Sequence, residues 1–168
     1  MYKLEALQNN CIYLSHIIVA FYLHLMNYTK PVEIRWSDLD PNFHLRHSVY
    51  YDFGAYCRVS FLIDNGITPE VMTQHFIGPI LFKEECIFKR GIKFGDNISI
   101  NLKLKGISAN GKKWIMTHDL LKNNETVCAI ITIEGAWMNT QLRKIIAPPQ
   151  IFMTALEGMP KTEDFRML

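Results

Sequence analysis

The chain has 168 residues, enough for one domain with a substantial core and too few for two well-stabilised ones. Hydrophobic residues make up 49% and charged residues 20%, which excludes a disordered or fibrous chain. A formal net charge of +2 gives no strong steering toward nucleic acid or an anionic membrane, so no nucleic-acid partner is expected.

Residues 1–27 form an extension. From Cys11 to Met26 the sequence CIYLSHIIVAFYLHLM carries no formal charge. It falls short of the roughly 20 apolar residues of a spanning helix and is interrupted by Ser15, His16 and His24. Lys3 is offset by Glu5 and no Ala-x-Ala pattern follows, unlike a secretory signal. Three readings stay open: an upstream start before a protein that begins at Met26, an amphipathic extension docked on the domain, or a weak membrane anchor.

A single domain is expected over residues 28–168. Val32, Ile34 and Trp36 alternate with polar neighbours, as in a half-buried strand. Asp40-Pro41 and Asn42 mark a loop from Asp38 to His47. A helix follows over Ser48–Asn65, stopped by Gly66. It is apolar nearly all round, so burial is expected. After Pro69 the chain reads as strands: Ile77–Arg90, then the strict alternation of Ile98–Lys105, then a strand through Trp114, Met116, His118 and Leu120, then Thr126–Asn139. Asn110-Gly111 and Asn123-Asn124 between them indicate antiparallel hairpins. Pro148-Pro149 precedes a short helical pattern, Ile151–Leu156. The periods give an α+β class. Cys11, Cys57, Cys86 and Cys128 form no C-x-x-C pair, and free thiols in a reducing, cytoplasmic setting are expected.

The stretch RWSDLDPNFHLRHSVYYDFGAYCR, residues 35–58, carries the candidate chemistry. Asp38 and Asp40 precede a helix start, with His44 and His47 after them. A helix start offers unpaired N–H groups and the positive end of the dipole, suited to a developing oxyanion. An upstream carboxylate facing that spot can act as nucleophile or base. The structural alternative is that both aspartates are turn formers and caps.

This segment resembles the signature of the 4-hydroxybenzoyl-CoA thioesterase-like hotdog family. Asp38-Leu39-Asp40-Pro41 is similar to its Asp-x-Asp motif, His44 to its histidine, and Tyr50 and Arg58 to its helix pattern. The closing GAWMNTQLRKIIAPPQ is also similar, so the resemblance covers about residues 30–165. It implies a hotdog fold, an antiparallel sheet wrapped around the helix, paired as a homodimer or homotetramer with the site at the dimer interface. It implies an acyl-CoA thioesterase in which Asp40 attacks the thioester or activates water and His47 donates its backbone N–H to the oxyanion. Asp38 is then structural, and His44 donates to the carbonyl, orients Asp40 or fills the loop. Tyr50, Phe43, Lys89 and Arg90 are candidate substrate contacts. No cofactor or metal is needed. This chain departs from the family in having Phe43 where many relatives place Gly, and Leu45-Arg46-His47 after the histidine. Competing readings are a non-catalytic acyl or acyl-carrier binder, an acyl carrier protein thioesterase and a hotdog dehydratase.

Overall fold

The computed structural model describes residues 27–168, and the readings made for Cys11–Met26 lie outside the described residues. Seven strands form one curled sheet. They are β1 (Tyr28–Val32), β2 (Ile77–Phe88), β3 (Ile98–Ile107), β4 (Lys113–Lys122), β5 (Thr126–Asn139), β6 (Lys144–Ile145) and β7 (Lys161–Met167). Their order is β1-β3-β4-β5-β2, with β6 paired to β5 and β7 to β3. All pairs are antiparallel except β3–β7. Asn123 and Asn124 both adopt left-handed φ, 54° and 61°, which turns β4 tightly into β5 as the sequence predicts.

The long helix α1 (His47–Asp64) lies in the curl of this sheet. Val49, Tyr50, Phe53, Cys57, Phe61 and Leu62 form its buried face. They pack into the same core as Ile100, Leu102, Leu120, Ile131 and Ile133. Each such large apolar side chain contributes about 1.5–3 kcal/mol by leaving water. Trp137, edge-on to Phe152 at 5.1 Å, extends the core beneath α3 (Gln150–Gly158).

Five expectations change. The first strand ends at Val32, and Trp36–Asp38 is a 3-10 turn, so Trp36 is 67% exposed instead of facing inward. A short helix, α2 (Pro69–Gln74), begins where strands were expected, capped by Thr68, whose hydroxyl accepts from the Val71 N–H. Lys161–Met167 adds β7, whose sparse alternation gives little signal. Ser99 and Asn101, on the polar side of β3, are buried, and side-chain hydrogen bonds to Asn124 and Asp119 satisfy them. Finally, α1 is buried on one side only: Tyr56, Val59 and Ile63 remain about half exposed, because the sheet curls around only part of the helix.

Edge strand β2 carries a second apolar surface, with Leu81, Phe82, Ile87 and Phe88 all exposed. Opposite Leu81, Gly135 makes room for the Trp114 ring: a Cβ there would meet Trp114 Cη2 at 2.4 Å and the Ile80 carbonyl at 2.5 Å. Gly135→Ala should therefore cost about 1–3 kcal/mol by overpacking. Gly158→Ala, where a Cβ meets nothing within 4 Å, should be close to neutral. Urea denaturation of both variants checks the contrast.

Candidate active site

Asp38 organises the entry to α1. Its buried carboxylate accepts from Arg35 three times: from the backbone N (2.9 Å), from Nε (3.1 Å) and from Nη2 (2.9 Å). The side-chain bonds from Arg35, chiefly, hold its pKa below the ordinary carboxylate value. Its backbone carbonyl then accepts from Arg46 N at 2.8 Å, fixing the residue before the helix. Asp38 is thus the structural member of the pair.

Asp40 sits two residues on, half-buried, in a small hairpin closed by the Leu39–Leu45 bridge. Its Oδ1 accepts from the backbone N–H of Asn42 (2.8 Å) and of His44 (3.0 Å). Its Oδ2 has no partner among the described residues. Phe43 completes the turn at φ +59°, a left-handed conformation that costs a non-glycine residue of its bulk about 1–3 kcal/mol. The surrounding bonds, Asp40 N to the His44 carbonyl at 2.7 Å and Leu45 N to the Ile92 carbonyl at 2.8 Å, hold it there.

Helix α1 begins at His47 behind Arg46, which gives no side-chain cap. Among the described residues, no acceptor meets the His47 N–H. A helix start that follows directly on an aspartate hairpin, with a donor unpaired among the described residues, can hold negative charge. The His44 ring rests against Gly91, where a Cβ would meet it at 3.1 Å, and His44 bridges to Lys93.

The other sequence candidates divide. Phe43 is exposed and joins a surface aromatic cluster with Trp36 (6.0 Å) and, through it, Phe94 (6.0 Å). Tyr50 is buried with its ring edge-on to Phe88 at 5.0 Å, and desolvation raises its pKa to about 12. Lys89 and Arg90 lie exposed at the end of β2, with Arg90 Nη1 donating to the Val127 carbonyl at 3.2 Å. The loop thus gathers Asp40, His44, Phe43 and the start of α1, while Lys89 and Arg90 stand beyond the strand end. The Trp36 and Phe94 cluster was not foreseen, since Trp36 was assigned inward.

A second feature lies further along α1, where the packed His118 joins a cluster that the sequence does not assemble. His118 is fully buried; its Nδ1 is 2.7 Å from the Asn101 carbonyl and its Nε2 is 3.2 Å from Arg58 Nη1. A carbonyl only accepts and a guanidinium only donates, so His118 is neutral with its proton on Nδ1. Burial, chiefly, lowers its pKa to about 3. Arg58 Nη2 reaches Glu84 at 3.4 Å. The sequence shows Arg58 as one of the few charges, with Asp52 and Asp64, on a largely apolar helix, and His118 as a packed strand residue.

The family model for the thioesterase-like superfamily matches residues 34–156. No curated protein matches the chain significantly in sequence. Solved structures share the fold at low identity. A hypothetical protein from Staphylococcus aureus in complex with CoA aligns with TM-score 0.73 and 16% identity, over 81% of this chain and 87% of that one. A 1,4-dihydroxy-2-naphthoyl-CoA thioesterase from Synechocystis gives 0.69 and 14%, over 77% and 95%. The DHNA-CoA thioesterase of Staphylococcus aureus gives 0.68 and 13%, over 79% and 87%.

The buried imidazole makes acid stability a direct readout. Unfolded His118 takes up a proton near pH 6.5, while the folded form stays neutral to about pH 3. Between those values the unfolded state holds the extra proton, so stability falls as pH falls, by about 1.4 kcal/mol per pH unit. Thermal melts from pH 7 to pH 4 should show this slope in the native chain and lose that part of it in His118→Gln.

Proposed function

This chain belongs to the thioesterase-like superfamily, and we propose that it hydrolyses an acyl-coenzyme A thioester to the free acid and the thiol. The observation that carries this reading is one carboxylate oxygen of Asp40, free of protein donors among the described residues, in the hairpin that leads into the uncapped start of α1. In this mechanism the His47 N–H polarises the thioester carbonyl, with the helix dipole behind it. Asp40 either attacks that carbon directly or takes a proton from an attacking water. The tetrahedral oxyanion collapses and the C–S bond breaks, expelling the thiolate. If Asp40 attacked, water hydrolyses the resulting anhydride, so both routes consume one water and restore the carboxylate.

The two hydrogen bonds on Oδ1 orient the carboxylate and leave Oδ2 for the chemistry. His44 keeps this hairpin in place through its backbone, and its ring can donate to the carbonyl. Phe43 presents an aromatic face to the substrate, Tyr50 backs the loop from the core, and Lys89 and Arg90 meet the phosphates of the carrier as charged donors. An acyl carrier protein thioester would use the same centre. A binding module without catalysis is the second reading, but binding alone needs no oriented, unpaired carboxylate oxygen.

Two such protomers would pair through the free edge of β2, covering Leu81, Phe82, Ile87 and Phe88. Free Cys57, Cys86 and Cys128 suit a reducing, cytoplasmic setting.

Two measurements test these points. Thiol release from short, long and aromatic acyl-CoA esters should be detectable, and Asp40→Asn should lower kcat by at least about 10²-fold with the fold retained. Equal activity in Asp40→Asn sinks the mechanism. Sedimentation should give at least twice the 19.5 kDa chain mass, and a monomer excludes the β2 pairing.

A further inference from the structure

An apolar cavity of about 230 Å³ opens between the middle of α1 and the sheet, away from Asp40. Ala55, Val59, Leu81, Met116 and Trp137 are among its walls, and Arg58 stands in the same lining. It falls below the roughly 300–1,000 Å³ of pockets that enclose drug-sized ligands, so it suits a short chain.

The polar groups of this lining are donors. Arg58 carries five N–H groups. Among the described residues it contacts only His118 and Glu84, one nitrogen each. Three N–H groups are therefore without an acceptor among the described residues, on a side chain 15% exposed. The buried indole N–H groups of Trp114 and Trp137, both lining residues, also find no acceptor among the described residues. Buried donors without partners, as the two indoles are, are rare in a folded protein; the unpaired Arg58 N–H groups are not buried in that sense and keep some contact with solvent. A hydrocarbon filling this cavity offers no acceptor to a lining that carries these donors, whereas a ligand oxygen does.

Arg58 is also held ready. His118 supplies a lone pair at 3.2 Å and Glu84 a carboxylate at 3.4 Å, so the guanidinium has a fixed orientation before any ligand arrives. Gly54 makes room for this arrangement, since a Cβ there would press on Arg58 Nη1 at 3.2 Å.

We propose that this cavity takes the acyl group of the substrate and selects one bearing an acceptor oxygen, an oxo or a carboxylate group, near its far end. This rests on the thioesterase reading. Arg58 lies 11 residues beyond His47, about 16 Å along the helix. A two-fold pairing of β2 edges is antiparallel, so it sets the Phe88 end of one strand, next to the Asp40 loop, beside the Leu81 end of the other. The acyl group would then enter the cavity of the second copy. Here Arg58 acts on binding and specificity, not on the reacting atoms.

The test compares hexanoyl-CoA, 5-oxohexanoyl-CoA and adipoyl-CoA, chains of equal carbon number, on native protein, Arg58→Met and Arg58→Lys. The expected result is at least tenfold higher kcat/KM for one or both oxygenated esters, carried mainly by KM, and collapse of that ratio in Arg58→Met. The ketone and carboxylate arms separate a neutral acceptor from an anion. Equal kcat/KM for all three esters, or a preference that survives in folded Arg58→Met, overturns the proposal while the thioesterase reading stands. Should no ester be cleaved, that reading fails, and calorimetric titration with hexanoate, 5-oxohexanoate and adipate decides the cavity alone. An Arg58-dependent preference for either oxygenated acid supports it, and its absence overturns it. Should Arg58→Met fail to fold, Arg58→Lys is read by the same ratio, since a lysine loses the forked geometry and should reduce it.

Discussion

The burial of one face of α1 in the curl of the sheet governs the rest of the molecule. That face is continuous from Val49 to Leu62, and no flat sheet would cover it. The bulges in β2, near Leu81, and in β3, near Leu104, bend the strands as the helix requires. Fixing the helix fixes its two ends. Its start meets the Asp40 hairpin, and its middle lies over β4 and β5, where His118 and Trp137 approach it. Of its remaining apolar stripe, Tyr56 lies toward β1 beside Pro31 and Val32, while Val59 lies toward Leu81 of edge strand β2. The same constraint that makes the core therefore also leaves an apolar stripe of the helix exposed among the described residues.

The two aspartates show how local bonding divides labour between identical side chains. Asp38 is surrounded by donors from Arg35 and is closed to solvent. A carboxylate so engaged has no oxygen left for chemistry. Its effect is to lock Arg46, and so the first turn of α1, in place. Asp40 receives two backbone donors on one oxygen only, which orients the group without saturating it. The left-handed turn at Phe43 is what allows both donors to converge, so its strain is the cost of that orientation. A glycine would make this turn more easily but would remove the aromatic face beside Trp36.

The long regular elements were legible because their periods are strong. The β3 alternation, the Asn123-Asn124 turn and the apolar helix each came from residue type alone, and the Asp-x-Asp hairpin was marked by its turn chemistry. Trp36 was misplaced because alternation alone cannot see that the Asp38 carboxylate draws the Arg35 backbone into a turn two residues after Ile34. The β7 strand escaped because its partner, β3, lies more than 50 residues away in sequence and its own residues are mostly exposed. The polar cluster of Arg58, Glu84 and His118 was invisible for a related reason. Its members come from α1, β2 and β4, and only the register of the sheet brings them together. Arginine on an apolar helix was a visible anomaly, but sequence could not name its partners.

That cluster also bears on why the interior tolerates a charge. Burial pulls the Arg58 guanidinium below its usual pKa, while Glu84 pushes in the other direction. An isolated buried cation would cost several kcal/mol, and a nearby carboxylate offsets this only where geometry is good. The 3.4 Å, single-nitrogen contact to Glu84 is not of that kind, and the second contact is to a neutral imidazole. A hydrophobic residue in this place would pack at lower cost, so stability alone gives no reason for the arginine. What it provides instead is directional N–H groups in a wall that otherwise offers only carbon and two indoles. The arrangement makes physical sense as a site that is completed by what it binds.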